Sequence, residues 1–300
     1  MVYLEERKKA SKPYYYAKES YREKGVVKTR TVAYLGTDKK KAEEQLKMLS
    51  DQPQLLAEKM LEEVSEITTA FSMYKKNIDS DSWAHIMNDF IILFTNETNR
   101  IEGSTFTVKE TRMLLEDNIA PEGKTLREVY EQVNTKKLFD THAEKPFSIT
   151  EKDLVRIHDI FVQNVDQRTG YRTRPVRILG STTKTTPPEH IKTDMQLLIA
   201  WHKKHTKALP PIVLAALFHA KFEQIHPFAD GNGRTGRFIT YVMLEKNMPT
   251  LFPERKKYLD ALEASQNKAI DSTERKDYDA IIKYFLHTQE HTWKNFFAIR

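Results

Sequence analysis

The chain has 300 residues, 39% of them hydrophobic and 30% charged, enough for one large buried core plus a small appendage. It contains no cysteine, which excludes disulfides, zinc–thiolate sites and thiol nucleophiles and fits a cytoplasmic setting. No apolar run is long enough to span a bilayer, and the opening MVYLEERKKASKP lacks the apolar stretch of a secretory signal, so no membrane partner is expected.

The formal net charge of +6 is unevenly placed. Residues 1–50 hold 13 Lys/Arg against 7 Asp/Glu, whereas residues 51–300 hold 35 of each. A basic appendage of this kind steers nucleic acid or acidic partners, or is simply a solvated face. Within it, 13–22 (PYYYAKESYR) and 26–35 (VVKTRTVAYL) are rich in Tyr, Val and Thr and read as a β-hairpin turning at 23–25. From Asp38 the character becomes Lys, Glu, Leu and Met at helical spacing. The reading is therefore a basic β-hairpin appendage over 1–37 and a helical domain over 38–300.

Helical periodicity predicts helices over 39–49, 53–75, 81–101, 107–117, 125–137, 150–164, 190–205, 209–225, 233–246, 255–270 and 278–296. Thr107 with Glu110, and Ser148 with Glu151, have capping-box spacing. Residues 170–188 (GYRTRPVRILGSTTKTTPP) break the pattern. They place Val176 and Ile178 in alternation before Gly180 and a Pro-Pro stop, and read as an exposed β-hairpin inserted between helices.

Residues 226–237, HPFADGNGRTGR, join two of these helices. Gly231 and Gly233 free the backbone to turn successive N–H groups to one side, at the start of a helix whose dipole adds positive potential. That makes an anion cradle suited to phosphates. Arg234 and Arg237 extend it with charge-assisted donors. Asp230 is a hard oxygen ligand suited to one Mg²⁺ whose other ligands are phosphate oxygens and water. His226, at the loop's entrance, is a base able to take a hydroxyl proton near neutrality.

HPFADGNGRTGR resembles the signature loop of the Fic family (filamentation induced by cAMP), H-x-F-x-[D/E]-G-N-G-R-x-x-R. The likeness extends over about 80–300 and includes 170–188 and the later RKKYLDALEAS. It implies a mainly α fold: a Fic-type helical bundle with a β-hairpin flap, here with a small N-terminal β-hairpin appendage. It also implies a protein adenylyltransferase that uses ATP and Mg²⁺ to modify a protein Ser, Thr or Tyr hydroxyl. By resemblance His226 is the general base and Asp230 the metal ligand. Gly231, Asn232, Gly233, Arg234, Thr235, Gly236 and Arg237 hold phosphates, and Phe228 is a core anchor. Ile178 belongs to the flap over the nucleotide and target. Tyr258, Leu262 and Gln266 share one helix face and match the adenine-pocket positions; Gln266 replaces a frequent Asn.

Residues 98–103, TNRIEG, resemble the inhibitory motif [S/T]-x-x-x-E-[G/N] of autoregulated Fic proteins, in the class with an N-terminal inhibitory helix. Glu102 would compete for Arg237 with the nucleotide's γ-phosphate. The same glutamate could position water for removal of AMP. Other readings on this scaffold are transfer of UMP, phosphocholine or phosphate, although phosphate-transferring relatives usually have Lys where this chain has Gly233. Outside enzymes, the chain reads as a nucleic-acid-binding regulator acting through its basic N-terminal segment. A homodimer is compatible with the resemblance.

Overall fold

A computed structural model describes residues 2–9, 12–23, 26–178, 181–267 and 277–298. The chain divides into two compact units, 1–63 and 64–300. Secondary structure changes where the composition does, between Gly36 and Lys39, whereas the division by packing falls later, inside the helix that follows.

The first unit holds three strands: β1 (Val2–Lys9), β2 (Lys12–Glu23) and β3 (Val26–Gly36). They form an antiparallel meander in chain order. β2 and β3 are the predicted hairpin, whose turn at 24–25 lies outside the described residues. β1 was not predicted, because its charged run EERKK hides the alternation a half-buried strand normally shows. Period-two alternation places Tyr15, Ala17 and Leu35 on one face, where they pack with Ala42 and with the half-buried Leu4 and Leu46. Ala42 and Leu46 belong to α1 (Lys39–Asn77). This single helix runs through 50–52, where helical periodicity predicts a break.

The second unit is helical: α2 (Ser80–Ile101), α3 (Val108–Asp117), α4 (Leu126–Glu144), α5 (Glu151–Phe161), α6 (Ile191–His205), α7 (Pro211–Ile225), α8 (Asn232–Leu244), α9 (Arg255–Ala264) and α10 (Asp279–Thr292). α7 starts at Pro211, where a missing N–H does no harm. It is apolar on nearly every side, so it is buried nearly throughout, between α6, α8 and α10. Phe238 and Tyr241 of α8 meet Phe94 of α2 and Phe139 of α4 in edge-to-face ring contacts, which fixes α8 against both helices.

Thr107 and Glu110 form the predicted capping box, and Thr125 with Glu128 form a second one that the sequence reading missed. The Ser148–Glu151 box is corrected. Thr150 is the cap of α5, accepting from Asp153 N, while Asp153 accepts from Ser148 N. The predicted flap hairpin is corrected in detail too. Its arms do face one another, with Thr185 Oγ1 donating to Val176 O at 3.0 Å, but the described parts, 170–178 and 181–187, form no strand ladder. Leu179 and Gly180 lie outside the described residues. Side-chain bonds replace the ladder: Thr182 N donates to Glu263 Oε1 at 3.2 Å, and Lys184 N to Asn267 Oδ1 at 2.9 Å. Among the described residues, no helix is long and apolar enough to cross a membrane.

Candidate active site

The loop 226–231 connects the end of α7 to the start of α8, and each of its turns has a local cause. His226 caps α7 in the left-handed region (φ 52°, ψ 60°), donating its N–H to Phe222 O. That conformation is strained for a side-chain-bearing residue and persists only where neighbours fix it. Arg172 supplies the fixing. Its Nε donates to His226 O at 2.8 Å, its Nη1 to Arg174 O at 3.0 Å and its Nη2 to Thr186 O at 2.5 Å, while its N–H donates to Pro227 O at 2.9 Å. Arg172 is only 5% exposed, so a buried guanidinium ties the flap's base to the main chain of the loop.

Phe228 is fully buried and stacks on His158 with ring centroids 3.8 Å apart and planes at 9°. His158 Nε2 donates to Asp230 O at 3.1 Å, and its Nδ1 lies 3.0 Å from Asp159 Oδ1. The Asn232 carboxamide is spent on Phe228, accepting from its N–H and donating to its C=O, both at 2.9 Å. Asn232 therefore braces the loop with its side chain and leaves its main-chain N–H to the start of α8. Gly231, at φ 78°, makes the turn into α8.

The start of α8 is where the sequence places an anion cradle. Its first-turn N–H groups, on Asn232, Gly233 and Arg234, precede any intrahelical carbonyl. Gly233 is required for space: a Cβ there would run into Glu102 Oε1, with Glu102 Cδ at 3.3 Å and Arg237 Nη1 at 3.0 Å. The carboxylate of Glu102 thus lies against the first turn of α8, where an anion is expected. Glu102 closes α2 as its C-terminal cap, and its Oε1 accepts from Arg237 Nη2 at 2.5 Å. Burial opposes the Glu102 charge, but Arg237 and then Arg234 outweigh it and hold the carboxyl below its usual range.

Arg237 is fully buried. Besides Glu102 it donates from Nε to Thr98 Oγ1 at 2.8 Å, from Nη2 to Thr98 O at 3.0 Å, and from Nη1 to the Tyr258 hydroxyl at 3.4 Å. Thr98 and Glu102, four apart on one helix face, grip the same guanidinium. Arg234 is buried and ion-paired with Glu131 at 2.8 Å, with Asp230 at 3.6 Å. Asp230 also holds Arg127 at 2.6 Å and accepts from Gly231 N at 2.6 Å. Its burial is outweighed by Arg234, the Gly231 N–H and Arg127, so its carboxyl stays ionised below the usual range. Thr235 and Gly236 are buried inside α8, and a Cβ on Gly236 would meet Glu223 Oε1 at 2.8 Å.

His226 Nδ1 lies 3.3 Å from Glu223 O, a carbonyl that can only accept, so Nδ1 carries the hydrogen and Nε2 keeps its lone pair. Burial, opposed by Glu223 O and reinforced by Arg172, lowers its pKa to about 4. The imidazole is neutral at physiological pH. Glu223 is buried beneath it, and burial pushes its carboxyl up to about 8.

The expected adenine-pocket residues separate. Tyr258 is fully buried, and its hydroxyl joins Arg237 to His219 Nε2 (2.8 Å), so it supports the arginine and is corrected from pocket wall to support. Leu262 and the flap's Ile178 are half-buried. Gln266 is buried and donates to Ala220 O at 3.2 Å. The sequence reading missed Thr98, Arg127, Glu131, His158, Arg172 and Glu223. Only Thr98 had a signal, as the first position of the inhibitory motif.

Residues 148–244 match the Fic/DOC family model. This stretch is similar to a Fic domain. Among curated proteins, the protein adenylyltransferase fic-1 of Caenorhabditis elegans is 27% identical over 202 residues, covering 64% of this chain and 38% of that protein. The protein adenylyltransferase Fic of Drosophila melanogaster is 32% identical over 166 residues, covering 53% and 34%. The chain thus spans well under half the length of these relatives. Among solved structures, a Fic-1 fragment from C. elegans superposes with a TM-score of 0.73 at 21% identity, over 87% of this chain and 78% of that one. A Fic-domain protein from Bacteroides thetaiotaomicron gives 0.66 at 21% identity, over 76% and 94%. These solved structures share the fold of this chain.

Proposed function

We propose that this chain is a protein adenylyltransferase that transfers AMP from ATP to a Ser, Thr or Tyr hydroxyl of a target protein, and that Glu102 holds it in check. The carrying observation is the pairing of a neutral His226, its Nε2 lone pair available, with an anion cradle at the start of α8. Nε2 takes the proton of the target hydroxyl as that oxygen bonds to the α-phosphorus. The bond from the α-phosphorus to the bridging oxygen breaks, and pyrophosphate leaves with its charge met by the α8 N-terminus, Arg237 and Arg234. The curated relatives are named protein adenylyltransferases, which supports the same reading.

Asp230 suits a Mg²⁺ that arrives with the nucleotide. It is a single ionised carboxylate beside the cradle, and no group of three or more metal-binding side chains is found among the described residues. Such an ion keeps phosphate oxygens and waters as its other ligands and supplies charge neutralisation at the phosphates. Asp230 would exchange its Arg127 partner to hold it.

Glu102 acts as the brake by occupying the cradle and the tip of Arg237 with negative charge. The test is to incubate Glu102→Gly with labelled ATP, UTP and GTP plus cell lysate, beside wild type and Glu102→Gly/His226→Ala. Labelling from ATP that rises in the single variant and vanishes in the double variant supports the proposal. Labelling that is unchanged by Glu102→Gly removes the brake. Preference for UTP or GTP changes the transferred group, and release of AMP from a modified protein by wild type alone reverses the direction.

A further inference from the structure

The proposed chemistry makes no use of the first unit, whose opening fifty residues hold 13 Lys/Arg against 7 Asp/Glu. One face of its sheet is covered by Ala42 and Leu46 of α1. The opposite face is read from the strand register: Arg7 beside Tyr14; Glu5, Tyr16 and Tyr34 in one row; Tyr3, Lys18 and Thr31 in another. Tyr16 and Tyr34 lie with ring centroids 5.2 Å apart, Tyr14 and Tyr34 at 6.3 Å, and the Arg7 guanidinium sits 5.2 Å from the Tyr16 centroid. Tyr34 is 54% exposed and Tyr3 38%. Glu5 is shared by Lys18 at 3.1 Å and Arg7 at 2.8 Å, and Lys18 first among the causes holds its carboxyl below the usual range. One carboxylate against two cations leaves these rows positive.

A merely solvated sheet face has no use for a cluster of tyrosines, and an apolar docking face has no use for cations among them. Rings that offer π faces beside cations on an antiparallel sheet match one ligand chemistry: unstacked bases on a phosphate backbone. Every base has a π face, so such a platform needs no particular sequence. A duplex keeps its bases stacked on one another and offers these rings nothing to stack against.

We infer that the open face of the β1–β2–β3 sheet binds single-stranded nucleic acid, with Tyr34, Tyr16 and Tyr3 stacking on bases and Arg7 and Lys18 meeting phosphates. This site is separate from the Fic loop and does not depend on the activity proposed for that loop. The test is fluorescence anisotropy of the full chain with a labelled 12-nucleotide oligo-dT, the matching oligo-U and a duplex of the same length, about 50 against 200 mM salt. Single strands should bind more tightly than the duplex, with affinity falling as salt rises. Tyr34→Ala should weaken binding about tenfold, from the usual range for one stacked base, while Tyr34→Phe retains it. Arg7→Gln with Lys18→Gln should flatten the salt dependence. The inference is overturned by absence of single-strand binding, by a duplex bound as well as or better than the single strand, or by Tyr34→Ala binding like wild type. Because Tyr34→Phe keeps the ring, its failure to restore affinity would also count against stacking.

Discussion

Gly233→Ala separates a collision with Glu102 from any other role of this position. Gly233 lies in the first turn of α8 with no positive φ, so backbone and helix propensity favour alanine there by up to about 1 kcal/mol. Space opposes it, because the added methyl meets Glu102 Oε1 head-on and Arg237 Nη1 at 3.0 Å. The guanidinium needs to give only a few tenths of an ångström, whereas the carboxylate has to leave. Breaking a fully buried ion pair costs about 3–5 kcal/mol. The Glu102 side chain is 39% exposed, so solvent takes up much of its charge, and a cost of about 1–3 kcal/mol is expected. In wild type, Gly233→Ala should therefore destabilise by about 1–2 kcal/mol net. In the Glu102→Gly background the obstacle is gone, and the same change should be neutral or mildly stabilising. Urea unfolding of the four proteins gives the coupling, expected at about 1–3 kcal/mol. Additivity within about 0.5 kcal/mol would refute the placement of Glu102 in the cradle.

Arg172→Met should lower stability by about 2–4 kcal/mol in urea unfolding, since it strips the buried carbonyl of Thr186 and the part-buried ones of His226 and Arg174 of their donor, and should reduce labelling more than Arg174→Met does. The acid limb of kcat/KM for labelling should fall near pH 4, not near the ordinary histidine value of 6.5, because burial disfavours the imidazolium of His226; a limb at 6.5 would mean a solvated base. Glu223 is raised to about 8, so its contribution to stability is fully present below the unfolded value of 4.5 and is lost as pH rises through 8. Glu223→Gln should remove up to about 1.4 kcal/mol per pH unit of stability loss between pH 6.5 and 8, measured by urea unfolding against wild type. Chelation of Mg²⁺, or Asp230→Ala, should abolish labelling while leaving the unfolding midpoint within about 0.5 kcal/mol of its control, because Arg127 and Arg234 retain Glu131.

The helices were legible because each has an apolar stripe and a stop, and α7 because it is apolar all round between Pro210 and a loop. The loop 226–237 was legible because glycines, a histidine and arginines at fixed spacing leave few alternatives. What the sequence concealed were groups whose role depends on long-range contact. Arg172 stands 54 residues before His226 in an irregular segment, and nothing local marks a guanidinium that will be buried. Tyr258 has the spacing of a pocket-lining residue, yet its ring is drawn beneath Arg237 and its hydroxyl is spent there. Asn232 has the composition of a phosphate ligand, but a carboxamide four residues from Phe228 closes both of that residue's main-chain bonds. The flap alternates like a strand, but the bonds that hold it come from Glu263 and Asn267, not from a ladder.

The two ends of the Thr98–Glu102 pair do opposite things, and this bears on how the proposed brake would release. Thr98 takes the inner edge of Arg237, through its hydroxyl and its carbonyl, and so keeps the guanidinium aimed at the cradle. Glu102 takes the tip. The end of α2 is itself tied down, with Arg255 donating to Ile101 O at 2.7 Å and Arg100 to Pro253 O at 2.9 Å. The main chain at the end of α2 is thus held, while the Glu102 side chain is partly exposed, so the proposed brake would release by rotation of that side chain. By the proposed brake, an anion in the cradle and Glu102 compete for the same place, so each weakens the other's hold on it. A ligand that drives Glu102 out has to recover no more than the cost of one half-solvated ion pair.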